Sequence, residues 1–225
     1  PVSNELATRV RTFYDGDEGR TRVIPNGVDL VVFGNNSSPG QDFAQRLVWT
    51  GRMSKEKGLK FLMEAMPLVL EEYPAASLTL VGDGPLRESL AAQVEELGVA
   101  SRVQFAGRVA HREVVRYLSR ADLFVLPSLN EGLPLSLLEA MGTGLPVVAA
   151  RVGGIPDVVI TEGKRQNGIL VPAADSLALA RAICRLLEEP AGAKQMGKAG
   201  QALIRERFSW TRIARQTMAV YEEVN

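Results

Sequence analysis

Residues 123–149, LFVLPSLNEGLPLSLLEAMGTGLPVVA, contain one unit of strand, loop, helix and strand. The runs at 123–126 and 146–149 are short, continuous and apolar, which is typical of strands buried on both faces of a parallel sheet. Between them, 133–141 is predicted to form a helix, because it is apolar and a turn containing glycines follows it. This order predicts parallel strands with helices packed on the sheet.

The same alternation continues on both sides of this unit. Further strands are predicted at 46–49, 78–81, 103–105 and 168–171, and further helices at 58–73, 85–97, 112–119, 176–189, 193–207 and 210–223. The predicted fold class is therefore α/β, with a single Rossmann-like, doubly wound parallel sheet in three α/β/α layers and helices at the carboxyl terminus. The predicted units are a leader at 1–33, a linker at 34–45, a Rossmann-like domain at 46–190 and C-terminal helices at 191–225.

The composition excludes several classes of protein. Lys plus Arg and Asp plus Glu both number 26, so the net charge is +0 and no basic excess favours nucleic acid as a partner. The single cysteine excludes an internal disulfide, and the single histidine cannot support a multi-histidine metal site. No stretch approaches the roughly 18 uncharged apolar residues of a membrane span. We therefore expect a protein without a metal, a cofactor or a nucleic-acid partner.

The loop after the first strand carries two basic residues, Arg52 and Lys57, and leads into a helix. In doubly wound sheets ligands lie at the carboxyl ends of the strands, so this loop is well placed for binding. A guanidinium fork and an ammonium both suit phosphate oxygens, and the free N–H groups of a helix start favour anions. The alternative for this pair taken alone is a solvated surface loop.

Two carboxylates, Glu131 and Glu139, follow the fourth strand and are separated by seven residues. Because the helix around Glu139 is otherwise uncharged, we expect its carboxylate to be partly buried and to need donors, for which ribose hydroxyls are suitable. The alternative is that Glu139 faces solvent or pairs with a neighbouring arginine. The helix start could hold a diphosphate, and since Pro134 has no N–H, Leu133 and Leu135 would supply the donors.

Other residues are predicted to have structural roles. The run at 82–85, GDGP, begins like a dinucleotide-binding motif, but Arg87 replaces the third glycine, so these glycines are predicted to turn the chain. His111, at the start of a short helix, is predicted to be a structural or surface residue, with the rim of a pocket as the alternative. Cys184 is predicted to lie in the core, which argues against a Cys–His nucleophile.

Ten short segments, taken in order, resemble the carboxyl-terminal, donor-binding domain of the group 1 retaining glycosyltransferases, which have the GT-B architecture. They are IPNGVD at 24–29, GR…KG at 51–58, VGDGP at 81–85, FAGRV at 105–109, AD at 121–122, EG…LEAM at 131–141, GLPVVA at 144–149, GGIPD at 153–157, NG at 167–168 and FSW at 208–210. The resemblance covers residues 23–221, and its order and glutamate pair make it specific.

The resemblance implies a role for each matched residue. Arg52 and Lys57 would neutralise the diphosphate of a nucleoside-diphosphate sugar, while Glu131 would contact the donor sugar and Glu139 the ribose hydroxyls. The backbone from 132 to 135 would hold the distal phosphate, and Val109 would contact the base through its main chain. The implied catalytic residues are Glu131, Arg52 and Lys57, and the implied donor contacts are Arg52, Lys57, Val109, Glu131, Gly132, Leu133, Leu135 and Glu139.

The resemblance also implies a reaction: transfer of a sugar from a nucleoside-diphosphate sugar to an acceptor hydroxyl, with retention. Such enzymes have a second, amino-terminal domain that binds the acceptor, so we expect this domain to be missing and the chain to turn over poorly or not at all alone. Residues 1–33 would come from the interdomain crossover, and 191–225 would pack toward the missing domain.

The same resemblance bears on location and on the remaining alternatives. Family members often work at the inner membrane surface on lipid or polysaccharide acceptors, so a cytoplasmic protein is expected, with peripheral membrane contact through the missing domain. Two alternatives stay open: a non-catalytic nucleotide-sugar-binding module, and another GT-B enzyme such as a sugar-nucleotide epimerase.

Overall fold

The computed structural model describes residues 1–14, 21–34 and 43–224, so residues 35–42 of the predicted linker lie outside it. Its strands are β1 (Arg46–Thr50), β2 (Ser77–Val81), β3 (Val103–Gly107), β4 (Leu123–Leu126), β5 (Val147–Ala150) and β6 (Gly168–Val171). Its helices are α1 (Asn4–Tyr14), α2 (Leu30–Phe33), α3 (Leu59–Glu72), α4 (Arg87–Glu96), α5 (His111–Leu118), α6 (Leu135–Gly142), α7 (Ser176–Glu188), α8 (Pro190–Arg207) and α9 (Trp210–Val224).

The six strands form one parallel sheet in the order β3-β2-β1-β4-β5-β6. This is the doubly wound order, in which the chain returns to the centre of the sheet after β3 and continues on the other side of β1. The predicted fold class is therefore confirmed. The reversal of strand order lies between β1 and β4, so the loops that follow these two strands face each other at the carboxyl edge.

The strands at the centre of the sheet are apolar because both of their faces are covered. Every residue of β4 and of β5 is buried, as are the last four residues of β1. Helix α3 packs against α4 and α7, while α6 packs against α8 and α2. Trp49 and Phe124 are among the largest fully buried side chains. A parallel sheet enclosed in this way fixes the positions of the loops at its edge.

Helix α6 begins at Leu135, two residues later than predicted. Pro134 is its N-cap and has an extended backbone, with ψ of 127°. The ring of a proline disfavours helical geometry in the residue before it, so Leu133 remains in the loop. The predicted helix start at 133 was wrong for this reason.

The leader contains two helices that the sequence analysis did not assign, α1 and α2. The Asp29 carboxylate caps α2, because it accepts hydrogen bonds from the backbone N–H groups of Val31 and Val32. Phe33, at the end of α2, is fully buried. Whether 1–33 belongs to an interdomain crossover, and whether 191–225 faces another domain, stay predictions.

Residues 24–29 of the leader are fastened to two later parts of the chain. The Asn26 side-chain amide donates to the Leu133 carbonyl at 2.6 Å, and the Val28 N–H donates to the Phe208 carbonyl at 2.7 Å. Val28 also forms a parallel bridge with Ser209, just before α9. The leader is thereby joined both to the loop that precedes α6 and to the start of α9.

Among the described residues, no helix combines the length and the apolar character that crossing a bilayer requires.

Candidate functional site

The loops after β1 and β4 meet at the carboxyl edge of the sheet. The Leu129 N–H donates to the Glu56 carbonyl at 2.8 Å. Gly58 has φ of +64°, and a Cβ there would lie 2.0 Å from the Pro127 carbonyl oxygen. Only glycine permits both this backbone conformation and this close approach. The close contact brings Lys57 next to the second loop.

The Lys57 ammonium and the Glu131 carboxylate form an ion pair, with 2.8 Å between Nζ and Oε1. The Ser128 hydroxyl donates to the same Oε1 at 2.7 Å. The Glu131 side chain is only 8% exposed, so these two donors offset the cost of burying its charge. Within the described residues no partner reaches Oε2, and the contact with Glu131 engages only one of the three N–H donors of Lys57. The pair can therefore accept a ligand without breaking.

Arg52 directly follows the glycine at the end of β1, and it is exposed. In the part of the chain that the structure describes, its guanidinium makes no hydrogen bond or ion pair, which leaves it available to an anion. The Ser54 hydroxyl lies 2.5 Å from the Glu56 carboxylate and lowers the pKa of that carboxyl, with smaller contributions from Lys57 and Arg52. The loop thus carries ionised groups of both signs.

Glu139 lies on α6 and is 7% exposed, which confirms the predicted burial. Its carboxylate Oε1 lies 2.6 Å from Nε2 of His111, which is the first residue of α5. The partner is therefore a histidine, and the alternatives of a solvent-facing carboxylate and of a neighbouring arginine are wrong. Composition singled out His111 only as a lone histidine, and its partner depends on how α5 packs beside α6.

The backbone from 132 to 135 ends the loop after β4 and packs against the loop after β5. Gly153 has φ of +56°, and a Cβ there would lie 1.8 Å from the Glu131 carbonyl oxygen. The Gly154 N–H donates to the Gly132 carbonyl at 2.6 Å. Leu133 is buried, while Leu135 is 45% exposed at the first position of α6, where helical N–H groups have no partner within the helix. Of the two leucines expected to offer donors, Leu135 thus occupies a helix start and Leu133 does not.

The structure brings some of the predicted residues together and leaves others apart. Lys57 and Glu131 touch directly. Glu139 contacts His111, the first residue of α5. Half-buried Val109 lies two residues earlier, on the loop after β3. Arg52 lies on the same edge, after β1. All of them follow the carboxyl ends of β1, β3 and β4, and their roles toward a ligand stay predictions.

Two cavities touch predicted site residues. A cavity of about 610 Å³ lies between the β1–β3 face of the sheet and α5, and of the predicted site residues only Val109 lines it. A second cavity, of about 410 Å³, is lined by Leu133 together with residues of the leader and of α9.

The single cysteine lies on α7, away from these loops. Cys184 is buried on α7, as predicted, and burial raises the pKa of its thiol to about 11. A thiol with so high a pKa is a poor nucleophile. In residues 1–14, 21–34 and 43–224, no three His, Cys, Asp or Glu side chains are grouped so as to hold a metal ion.

Comparison with known proteins gives consistent matches. A family model described as "Glycosyl transferases group 1" matches residues 44–189. An uncharacterized glycosyltransferase of Methanocaldococcus jannaschii is 30% identical over 98% of this chain and 58% of its own length. The chain thus spans little more than half the length of this curated relative.

Solved structures match over almost the whole chain. Sucrose-phosphate synthase from Thermosynechococcus elongatus has a TM-score of 0.86 and 32% identity, covering 99% of this chain and 57% of that protein. The Anabaena protein HepE, solved in complex with UDP, has a TM-score of 0.86 and 26% identity, covering 99% of this chain and 62% of that protein. These likenesses confirm that the fold is half of a GT-B architecture.

Proposed function

We propose, from the premise that this chain belongs to the group 1 glycosyltransferases, that it is the donor-binding half of a retaining enzyme. That enzyme transfers a sugar from a nucleoside-diphosphate sugar to an acceptor hydroxyl. The observation that carries the proposal is the Lys57–Glu131 ion pair at the carboxyl edge, which joins the loop after β1 to the loop that leads from β4 to buried Glu139 on α6. HepE, which shares the fold, has been solved with UDP.

Charge at one end of the site suits a diphosphate. Arg52 offers a guanidinium fork, Lys57 offers N–H donors beyond the one that contacts Glu131, and the start of α6 offers backbone N–H groups. The leaving nucleoside diphosphate gains negative charge as the sugar bond breaks. Fixed positive groups that face this charge would stabilise the transition state more than the ground state.

The two glutamates would each bind an uncharged group of the donor, Glu131 the sugar and Glu139 the ribose. Glu131 keeps Oε2 available to accept from a sugar hydroxyl, while Lys57 and Ser128 hold Oε1. Glu139, about one turn into α6, would accept from the ribose hydroxyls. Val109 would contact the base through its main chain. Each glutamate thus takes a hydroxylated group, and neither requires a metal.

The proposal is tested by calorimetry with UDP, GDP, ADP, NAD and inorganic diphosphate. We expect one nucleoside diphosphate to bind and NAD not to bind. Glu139→Gln should weaken nucleotide binding about 10- to 100-fold and leave inorganic diphosphate unchanged, because only the nucleotide has a ribose. Arg52→Ala should weaken both ligands by about the same factor, because both contain the diphosphate.

Three outcomes would contradict the proposal. Equal losses for the two ligands in Glu139→Gln would exclude the ribose role, and absence of binding by every nucleoside diphosphate would exclude the donor site. Sugar transfer by these 225 residues alone, at rates normal for an enzyme, would contradict the assignment as one half of the catalytic unit.

A further inference from the structure

The contact between His111 and Glu139 differs from an ordinary surface pair. The Glu139 side chain is 9% exposed and has no other side-chain partner within the described residues, whereas the imidazole is 71% exposed. Exposed ion pairs contribute little, because water competes for both groups. Here one partner is almost withdrawn from water, so the single 2.6 Å bond determines how the carboxylate is oriented.

The imidazole is itself held in place from two directions. Its ring packs against the ring of fully buried Phe33, with 5.3 Å between centroids and an interplanar angle of 49°. The Glu113 carboxylate accepts from the Ala110 N–H at 3.2 Å, which fixes the start of α5 and places His111 at its first position. Phe33 comes from α2 and Glu139 from α6, so His111 joins three helices at one point.

The donor in this contact follows from the chemistry of the two groups. A carboxylate can only accept, so the histidine tautomer that makes this hydrogen bond carries its hydrogen on Nε2. Oε2 of Glu139 has no partner within the described residues and remains able to accept from a ligand. A histidine that occupies one oxygen and leaves the other free orients a carboxylate without blocking it.

We propose that His111 is a positioning residue for nucleotide binding: it holds Glu139 in the orientation that accepts a ribose hydroxyl. The inference rests on the proposed function, because it assigns a ribose to Glu139. His111 does not touch the diphosphate, and its effect passes through Glu139 alone. Loss of His111 should therefore weaken the binding of a nucleoside diphosphate and leave the binding of inorganic diphosphate unchanged.

The test uses calorimetry to compare a nucleoside diphosphate with inorganic diphosphate. The nucleotide is whichever of UDP, GDP and ADP the unaltered chain binds. His111→Ala should weaken nucleotide binding about tenfold and leave inorganic diphosphate unchanged. His111→Gln, whose amide can donate from near the same position, should stay within about threefold of the unaltered chain. Glu96→Ala, an exposed change at the end of α4, should alter neither ligand and serves as the control.

A double variant separates positioning from a direct contact with the ligand. In the Glu139→Gln background, His111→Ala should cause no further loss of nucleotide binding, because the group that it orients has been changed. Folding of each variant is checked by thermal unfolding, because His111→Ala leaves the nearly buried Glu139 carboxylate without its donor, and binding is compared below the unfolding transition of each variant.

Each other outcome overturns the inference. Unchanged or tighter nucleotide binding in His111→Ala, with Glu139→Gln still weakened, would show that the imidazole does not orient Glu139 for the ligand and would leave the proposed function intact. A further tenfold loss in the double variant would show a direct contact instead. If the unaltered chain binds no nucleoside diphosphate, the proposed function and this inference fail together.

Discussion

The two glutamates of the site are buried to a similar extent but have different partners. The side chains of Glu131 and Glu139 are 8% and 9% exposed. Glu131 receives hydrogen bonds from Lys57, which is 22% exposed, and from the buried Ser128 hydroxyl. Glu139 has the 71% exposed His111 ring alone within the described residues. One carboxylate is thus held by two sheltered donors and the other by a single donor at the surface, so the second is the easier to disturb.

The largest expected effect comes from separating the loops that build the Glu131 end. Gly58→Val places a branched side chain at φ of +64° and against the Pro127 carbonyl, and should lower the free energy of unfolding by about 3–5 kcal/mol. Gly98→Val is the matched control, because Gly98 has φ of +68° and a Cβ added there would meet no described atom within 4 Å. It should cost about 1–2 kcal/mol. Urea denaturation measures both, and equal losses would contradict the tight loop contact.

Removing the charged donor of Glu131 should have the next largest effect. Lys57→Met leaves the buried carboxylate with Ser128 only, and should cost about 1–3 kcal/mol of stability and weaken diphosphate binding at least tenfold. Adding Glu131→Gln should restore part of the stability, because no uncompensated charge remains. Lys55→Met, an exposed change in the same loop, should stay within about 0.5 kcal/mol. An equal loss in Lys55→Met would assign the effect to the charge of the loop as a whole.

The smallest effect is expected when Glu131 loses its neutral donor. Ser128→Ala removes one of two hydrogen bonds to Oε1 and should cost about 1 kcal/mol, with less than a fivefold change in nucleotide binding. Because Lys57 remains, this loss should be smaller than the tenfold loss expected for His111→Ala. Calorimetry on the two variants side by side measures the difference. A larger loss for Ser128→Ala would reverse the contrast between the two glutamates.

The sheet could be predicted from the sequence because its strands are continuous apolar runs. The bounds of β4 and β6 agree with those predicted, and β1 differs by one residue at its end. All of β4 and the last four residues of β1 are buried, while β6 at the edge of the sheet is half-buried at its two middle residues, and in all three the unbroken apolar run identifies the strand. Helices α1 and α2 were missed, because α1 is largely polar and α2 has only four residues. Their positions depend on contacts with residues far away in the chain.

The site was predictable as residue types but not as pairs. Glu131, Lys57 and Glu139 stand out because charge is rare in their surroundings or because they follow strands. That Lys57 contacts Glu131 depends on Gly58, which lets two loops approach to within backbone contact. That Glu139 contacts His111 depends on the packing of α5 beside α6. Neither contact is local in sequence, so the hydrophobic periodicity and the spacing of charged residues do not predict it.

The attachment of the leader has a mechanical consequence. Asn26 is bonded to the carbonyl of Leu133, one residue before the N-cap of α6, and Val28 is paired with Ser209 before α9. A displacement of residues 24–29 therefore loads the amino end of α6 and the start of α9 together. The helix that carries Glu139 is thus coupled to the leader through a single side-chain hydrogen bond next to its first turn.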